Sequence, residues 1–127
     1  MDAGKSQGVA KHIVLVKVKD GIPEDQMDQV IKAYAKLVDL IEPLKAFQWY
    51  ALPSRPLHVV LQIFMLFLGR NVTTSEDFTH VFELTFESVE GVREYMSHPA
   101  HLEFDKIATP TADKVLLVSY ESTPVPL

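Results

Sequence analysis

His12-Ile13-Val14-Leu15-Val16-Lys17-Val18, followed after an Asp20-Gly21 turn by the run from Glu24 to Ile41, decides the fold. Ile13 to Val16 are four apolar residues in a row. They predict a strand covered on both faces, because a half-exposed strand would alternate. Along Glu24 to Ile41, Met27, Val30, Ile31, Tyr34, Leu37, Val38 and Ile41 recur on one helical face. Pro23 suits a first-turn position, and Glu24 and Asp25 favour the positive end of the helix dipole. Pro43 helps to stop the helix. A covered strand followed by an amphipathic helix is the opening unit of a layered α+β domain.

Working outward from this unit, Ala46 to Trp49 predicts a second strand. His80 to Phe86 predicts a third, with His80, Phe82, Leu84 and Phe86 on one face. Ser88 is a plausible N-cap for a helix over Val89 to Ser97, with Glu90 in its first turn. Pro99 disfavours helical geometry at His98, so a further helical stretch is expected from Pro99 towards Ile107. Val115 to Tyr120 completes the set as a strand. The order β-α-β-β-α-β predicts a ferredoxin-like α+β sandwich, a four-stranded sheet with helices on one face. Strands one and three should be central neighbours. The other face, with Ile13, Leu15 and Leu117 expected on it, needs cover, and a second copy of the sheet would supply it. A homodimer is therefore expected.

The composition fits this reading. The 127 residues suit one domain, taken as 11–121 between a flexible N-terminus at 1–10 and a tail at 122–127. The absence of cysteine excludes disulfides and thiolate metal sites, and suits the cytoplasm. A net charge of -5 argues against nucleic acid as a partner, and the short Lys17/Lys19 cluster reads as a solvated strand edge. Met1 to Gly8 has no apolar core of a secretory signal. Asn71-Val72-Thr73 therefore reads as a chance match to a glycosylation acceptor.

Histidine and tyrosine carry the candidate chemistry. His12 lies on strand one and His80 begins strand three. If the two strands are parallel neighbours, their imidazoles sit side by side at one end of the sheet. Tyr34 lies on the apolar face of the first helix, and Phe82 on the same strand face as His80. Tyr95 ends the second helix, with His98 and His101 on either side of Pro99 and Ala100. Taken singly, such residues are commonly core residues with satisfied polar ends. Convergence in one cavity would give them function: imidazole exchanges protons near neutral pH, and a phenol can donate to a carbonyl oxygen as charge develops there. The His98/His101 pair lacks a carboxylate at obvious ligand spacing, so no metal site is expected.

Several segments together resemble the plant stress-response A/B barrel family, a group of dimeric α+β barrels. They are Lys11-His12-Ile13-Val14-Leu15, Asp39 to Lys45 with Trp49, Phe78-Thr79-His80-Val81-Phe82-Glu83, Thr85 to Ser88, and Tyr95 through His101. The family includes heat-stable, defence-related proteins and polyketide cyclases. The resemblance implies a homodimer with a pocket for an apolar or polyketide small molecule, and no cofactor. By motif, the base of the cyclases falls on His101 and its tyrosine partner on Tyr95. Nearby pocket residues fall on His12, Tyr34 and His80, and Phe82, on the same strand face as His80, is expected to bind substrate beside them. The function so implied is that of a stress- and defence-associated protein with a small-molecule pocket; the alternative is a cyclase, with an intramolecular aldol condensation of a linear polyketide thioester as its reaction.

The chain departs from the family pattern at 50–68. The family runs from the tryptophan directly into a stretch that matches Gly69-Arg70-Asn71-Val72. The extra segment ends in the apolar run Val59 to Leu68, too short to cross a bilayer, which takes about 20 apolar residues. Three readings stand for it, in this order: a retained intron or gene-model error, an added strand or helix over the barrel edge, and a membrane- or partner-binding loop. A second departure is Pro23, where the family has Ser or Thr. The lost cap should cost about 1 kcal/mol.

Overall fold

The computed structural model describes residues 9–52, 63–64, 66–69 and 78–122. The described elements are β1 (Ala10–Val18), α1 (Glu24–Leu40), β2 (Leu44–Ala51), β3 (His80–Phe86), α2 (Val89–Ser97), α3 (Pro99–Ala108), a short 3-10 turn (Thr109–Thr111) and β4 (Ala112–Glu121). The sheet order is β2-β3-β1-β4, and every neighbouring pair is antiparallel. This is the expected ferredoxin-like α+β fold.

One expected detail is overturned. β1 and β3 are central neighbours but run antiparallel: His12 stands opposite Leu84, and His80 opposite Val16. The crossover through α1 makes β1 and β2 the like-directed pair, and β3 enters between them from the other end. The two imidazoles share a sheet face but lie four residues apart along it, roughly 13 Å at about 3.4 Å per residue.

Register assigns every strand residue to a face. Ala10, His12, Val14 and Val16 share theirs with Phe82, Leu84 and Phe86, and with Val115, Leu117 and Ser119 of β4. Helices cover this face. Met27, Val30, Ile31, Tyr34 and Leu37 of α1, Val92 and Tyr95 of α2 and Phe104 of α3 are buried. All but Met27 belong to one cluster with Val14, Phe82, Leu84 and Phe86. Leu117 thus faces the helices, not the open side expected for it, because it pairs with Val14. The open side carries Ile13, Leu15, Val81, Leu116, Val118 and Tyr120.

Local signals behave as their chemistry requires. Gly21 closes the first turn at φ 85, a left-handed conformation that glycine adopts without a Cβ penalty. Ser88 caps α2 by accepting from the Gly91 amide at 3.3 Å. Pro23 occupies the cap position itself rather than the first turn, in extended geometry and with no side-chain cap bond. A Cβ at Gly91 would stand 3.0 Å from Pro43 Cβ, so this glycine allows α2 to approach the α1–β2 connection.

β2 is longer than its sequence suggests. Tyr50 and Ala51 pair with Val81 and His80, and the Leu52 amide donates to the Thr79 carbonyl at 2.9 Å. Tyr50 and Ala51 therefore belong to the sheet and not to an insertion. Within the apolar run, Ile63, Phe64, Leu66 and Phe67 are helical and exposed, and the turn closes at Gly69 with φ 76. These described residues form helix, not strand; 53–62, Met65 and the 70–77 stretch with Asn71-Val72-Thr73 lie outside the described residues. Among the described residues, no helix is long and apolar enough to cross a membrane.

Candidate functional site

A cavity of about 220 Å³ lies between the helices and the covered face of β1 and β4. Its floor is the central rows of that face: His12, then Val14 with Phe82 and Leu117, then Val16 with Val115. Its roof is Met27, Val30 and Tyr34 from α1, Tyr95 from α2, and His101, Phe104 and Asp105 from α3. Polar groups gather at the His12 end, and the Val16 end is mostly apolar. The elongated shape follows from the sheet, because successive rows on one face are about 7 Å apart.

The junction between α2 and α3 brings the polar end together. His98 leaves helical geometry at ψ 137, as the following proline requires, and its Nδ1 accepts the Ala100 amide at 3.0 Å. His98 is thus the N-cap of α3. Restarting the helix at Pro99 turns His101 back onto Tyr95, with ring centroids 4.3 Å apart. Tyr95 also meets His12 edge-on at 5.8 Å. His98 and His101 therefore do different jobs, one at a helix end and one in the cavity wall.

Both ring nitrogens of His101 face oxygen acceptors. Nδ1 lies 3.2 Å from the Met96 carbonyl oxygen, to which it donates when it carries the hydrogen. Nε2 lies 3.4 Å from Asp105 Oδ1. His12 Nδ1 and Ser119 Oγ share a hydrogen bond of 2.7 Å across β1 and β4.

The phenols are set up differently. Tyr95 is fully buried, and its hydroxyl makes no hydrogen bond of good geometry, although the Tyr34 hydroxyl is close enough to interact with it. A buried, unpaired hydroxyl costs about 1–3 kcal/mol, which a ligand carbonyl would offset. Burial pushes the Tyr95 pKa far up, and the neighbouring Tyr34 hydroxyl and Asp105 carboxylate push the same way. Tyr34 is also raised, chiefly by burial. Both remain protonated donors at neutral pH. Burial and the neighbouring His101 lower the pKa of His12, which keeps it neutral.

Of the expected site residues, His12, Tyr34, Phe82, Tyr95 and His101 all line this cavity. His80 does not. It stacks between Trp49 (5.8 Å) and Phe82 (6.0 Å), with Nδ1 bonded to Thr79 Oγ1 at 2.7 Å. Its pKa is lowered by burial. Asp105 and Ser119 were missed in the sequence, although Asp105 stands one helical turn after His101 and that spacing was visible. Among the described residues, no group of three His, Asp or Glu side chains could hold a metal ion.

Comparison with known proteins gives the family. The model of the stress responsive A/B barrel domain matches residues 10–55 and 58–122. The stress-response A/B barrel domain-containing protein HS1 of Arabidopsis thaliana is 40% identical over 126 residues, covering 97% of this chain and 98% of that protein. Olivetolic acid cyclase of Cannabis sativa is 33% identical over 113 residues, covering 87% of this chain and 93% of the cyclase. Among solved structures, the hydroxynitrile lyase of Passiflora edulis superposes with a TM-score of 0.74 at 23% identity, over 94% of this chain and 98% of the lyase. A dimeric ferredoxin-like protein from Thermobifida fusca shares the fold at 22% identity and a TM-score of 0.65, over 91% of this chain and 92% of its own. The chain belongs to the stress responsive A/B barrel domain family.

Proposed function

We propose that the protein is a homodimeric, cytoplasmic, stress- and defence-associated A/B barrel that takes a small apolar carbonyl compound into the cavity and acts on it by acid–base chemistry. The observation that carries this reading is the packing of a buried phenol that lacks a hydrogen bond of good geometry against an imidazole whose Nδ1 is anchored at a backbone carbonyl and whose Nε2 is left to exchange a proton. The dimer is supported by the open apolar sheet face and by the dimeric protein of the same fold.

In this mechanism His101 Nε2 removes a proton from a methylene between two carbonyls. Tyr95 donates a hydrogen bond to the carbonyl oxygen as the enolate forms. The enolate carbon attacks a distant ketone carbon of the same molecule, a carbon–carbon bond forms, and the new alkoxide takes the proton back from the His101 imidazolium. The cavity folds the chain so that its two ends meet, replacing an encounter by positioning. A polyketide thioester is a substrate of this class, and the likeness to olivetolic acid cyclase supports it.

A second reading, ligand binding without turnover, is favoured by the higher identity to the stress-response protein. Deuterium exchange separates the two. With a short β-keto thioester in heavy water, the acid–base reading expects exchange at the central methylene faster than with free imidazole, and loss of that acceleration in His101→Ala. Binding of the thioester with no accelerated exchange would leave the binding role alone.

A further inference from the structure

We propose that Asp105 makes this cavity selective by charge, so that it admits uncharged carbonyl compounds and excludes carboxylates. The inference rests on the reading of the cavity as a carbonyl site and adds which ligands of that kind can enter.

Among the described residues, Asp105 is the one carboxylate in the cavity wall, and no lysine or arginine lines it. Its neighbours at the polar end are His12 from β1, Tyr34 from α1, Tyr95 from α2 and His101 from its own helix. None is a permanent cation. A ligand oxygen reaching the buried Tyr95 hydroxyl enters this group of side chains. A neutral carbonyl oxygen accepts from Tyr95 and carries no net charge against Asp105. A carboxylate brings a second negative charge into a wall with no fixed positive charge, at a separation shorter than the Debye length of about 8 Å at physiological salt. The apolar floor prevents water from taking over that screening fully.

This selectivity also orders the proposed reaction. An uncharged acyl chain is favoured on entry, and any product released as a free acid is disfavoured where it forms. Asp105 is half-exposed, so the discrimination is moderate, about tenfold.

Octanamide and octanoate have nearly the same shape and differ in charge. Their affinities for the full-length protein can be compared by NMR at about pH 8, above the ordinary imidazole range, following the cavity methyl signals. Octanamide is expected to bind about tenfold more tightly than octanoate. The ratio should fall towards one in Asp105→Asn and be kept in Asp105→Glu. Added salt should narrow it in the unmutated protein. Octanoate binding as tightly as octanamide, or a ratio that ignores Asp105→Asn, overturns charge selection and leaves the carbonyl site standing. No binding of octanamide overturns both.

Discussion

The two faces of the sheet come from the same strands and differ in what the chain does with them. On β1, His12, Val14 and Val16 point to the helices, while Ile13 and Leu15 point to the open side. The covered face contains a fully buried core at Leu84 and Phe86 and, towards β4, a cavity ended by His12, Tyr95 and His101. The open face carries Lys11, Lys17, Glu83 and Lys114 among its apolar residues. It offers Leu116, Val118 and Tyr120, each nearly half exposed. Alternation along a strand thus separates by one residue the side of the proposed chemistry from a surface suited to assembly.

That contrast can be broken experimentally, and the largest effects are expected on the covered face. His101→Ala should lower acid–base turnover by at least about 100-fold, the usual contribution of a positioned base, while sedimentation still reports the assembled protein. Leu84→Ala should destabilise by about 2–5 kcal/mol in denaturant melts, because a fully buried side chain leaves a cavity. On the open face Val118→Glu should leave the monomer folded but shift light scattering from dimer to monomer. A large loss of monomer stability there would show that this face is core. Tyr95→Phe should sharpen the contrast. It removes a buried hydroxyl that makes no hydrogen bond of good geometry, so stability should change by no more than about 1 kcal/mol, while turnover falls.

The smallest effect concerns pH. His12 has a folded pKa below its ordinary 6.5, through burial and then through His101. A depressed histidine binds fewer protons folded than unfolded. Stability is therefore full above about pH 6.5 and declines as pH falls through the depressed folded value. His80 adds in the same direction. Melts of His12→Gln should show a flatter decline over that window than the unmutated protein.

Much of this contrast was legible in the sequence, and the exceptions have physical causes. The 3.6-residue period of α1 and the alternation of β3 mark their buried faces, since burial itself imposes those periods. Pro99 announces the helix break that turns His101 back onto Tyr95. Strand direction follows from connectivity and not from periodicity: the helical crossover makes β1 and β2 like-directed and β3 opposite to both, so His12 and His80, expected together on a parallel pairing, are separated. For the same reason β4, apolar at consecutive positions, could not show that Leu117 rather than Leu116 faces the helices. The extension of β2 through Tyr50 and Ala51 depends on pairing with β3, which lies far along the chain. Asp105 needed only the i, i+4 rule applied to His101.

The central claim is that the covered face holds a working base and its phenol partner. It is tested most directly by supplying the purified protein with a linear tetraketide thioester made by a type III polyketide synthase, beside His101→Ala. The account predicts a cyclised product from the unmutated protein alone. Equal cyclisation by the folded His101→Ala protein, or only spontaneous lactones from both, would contradict it.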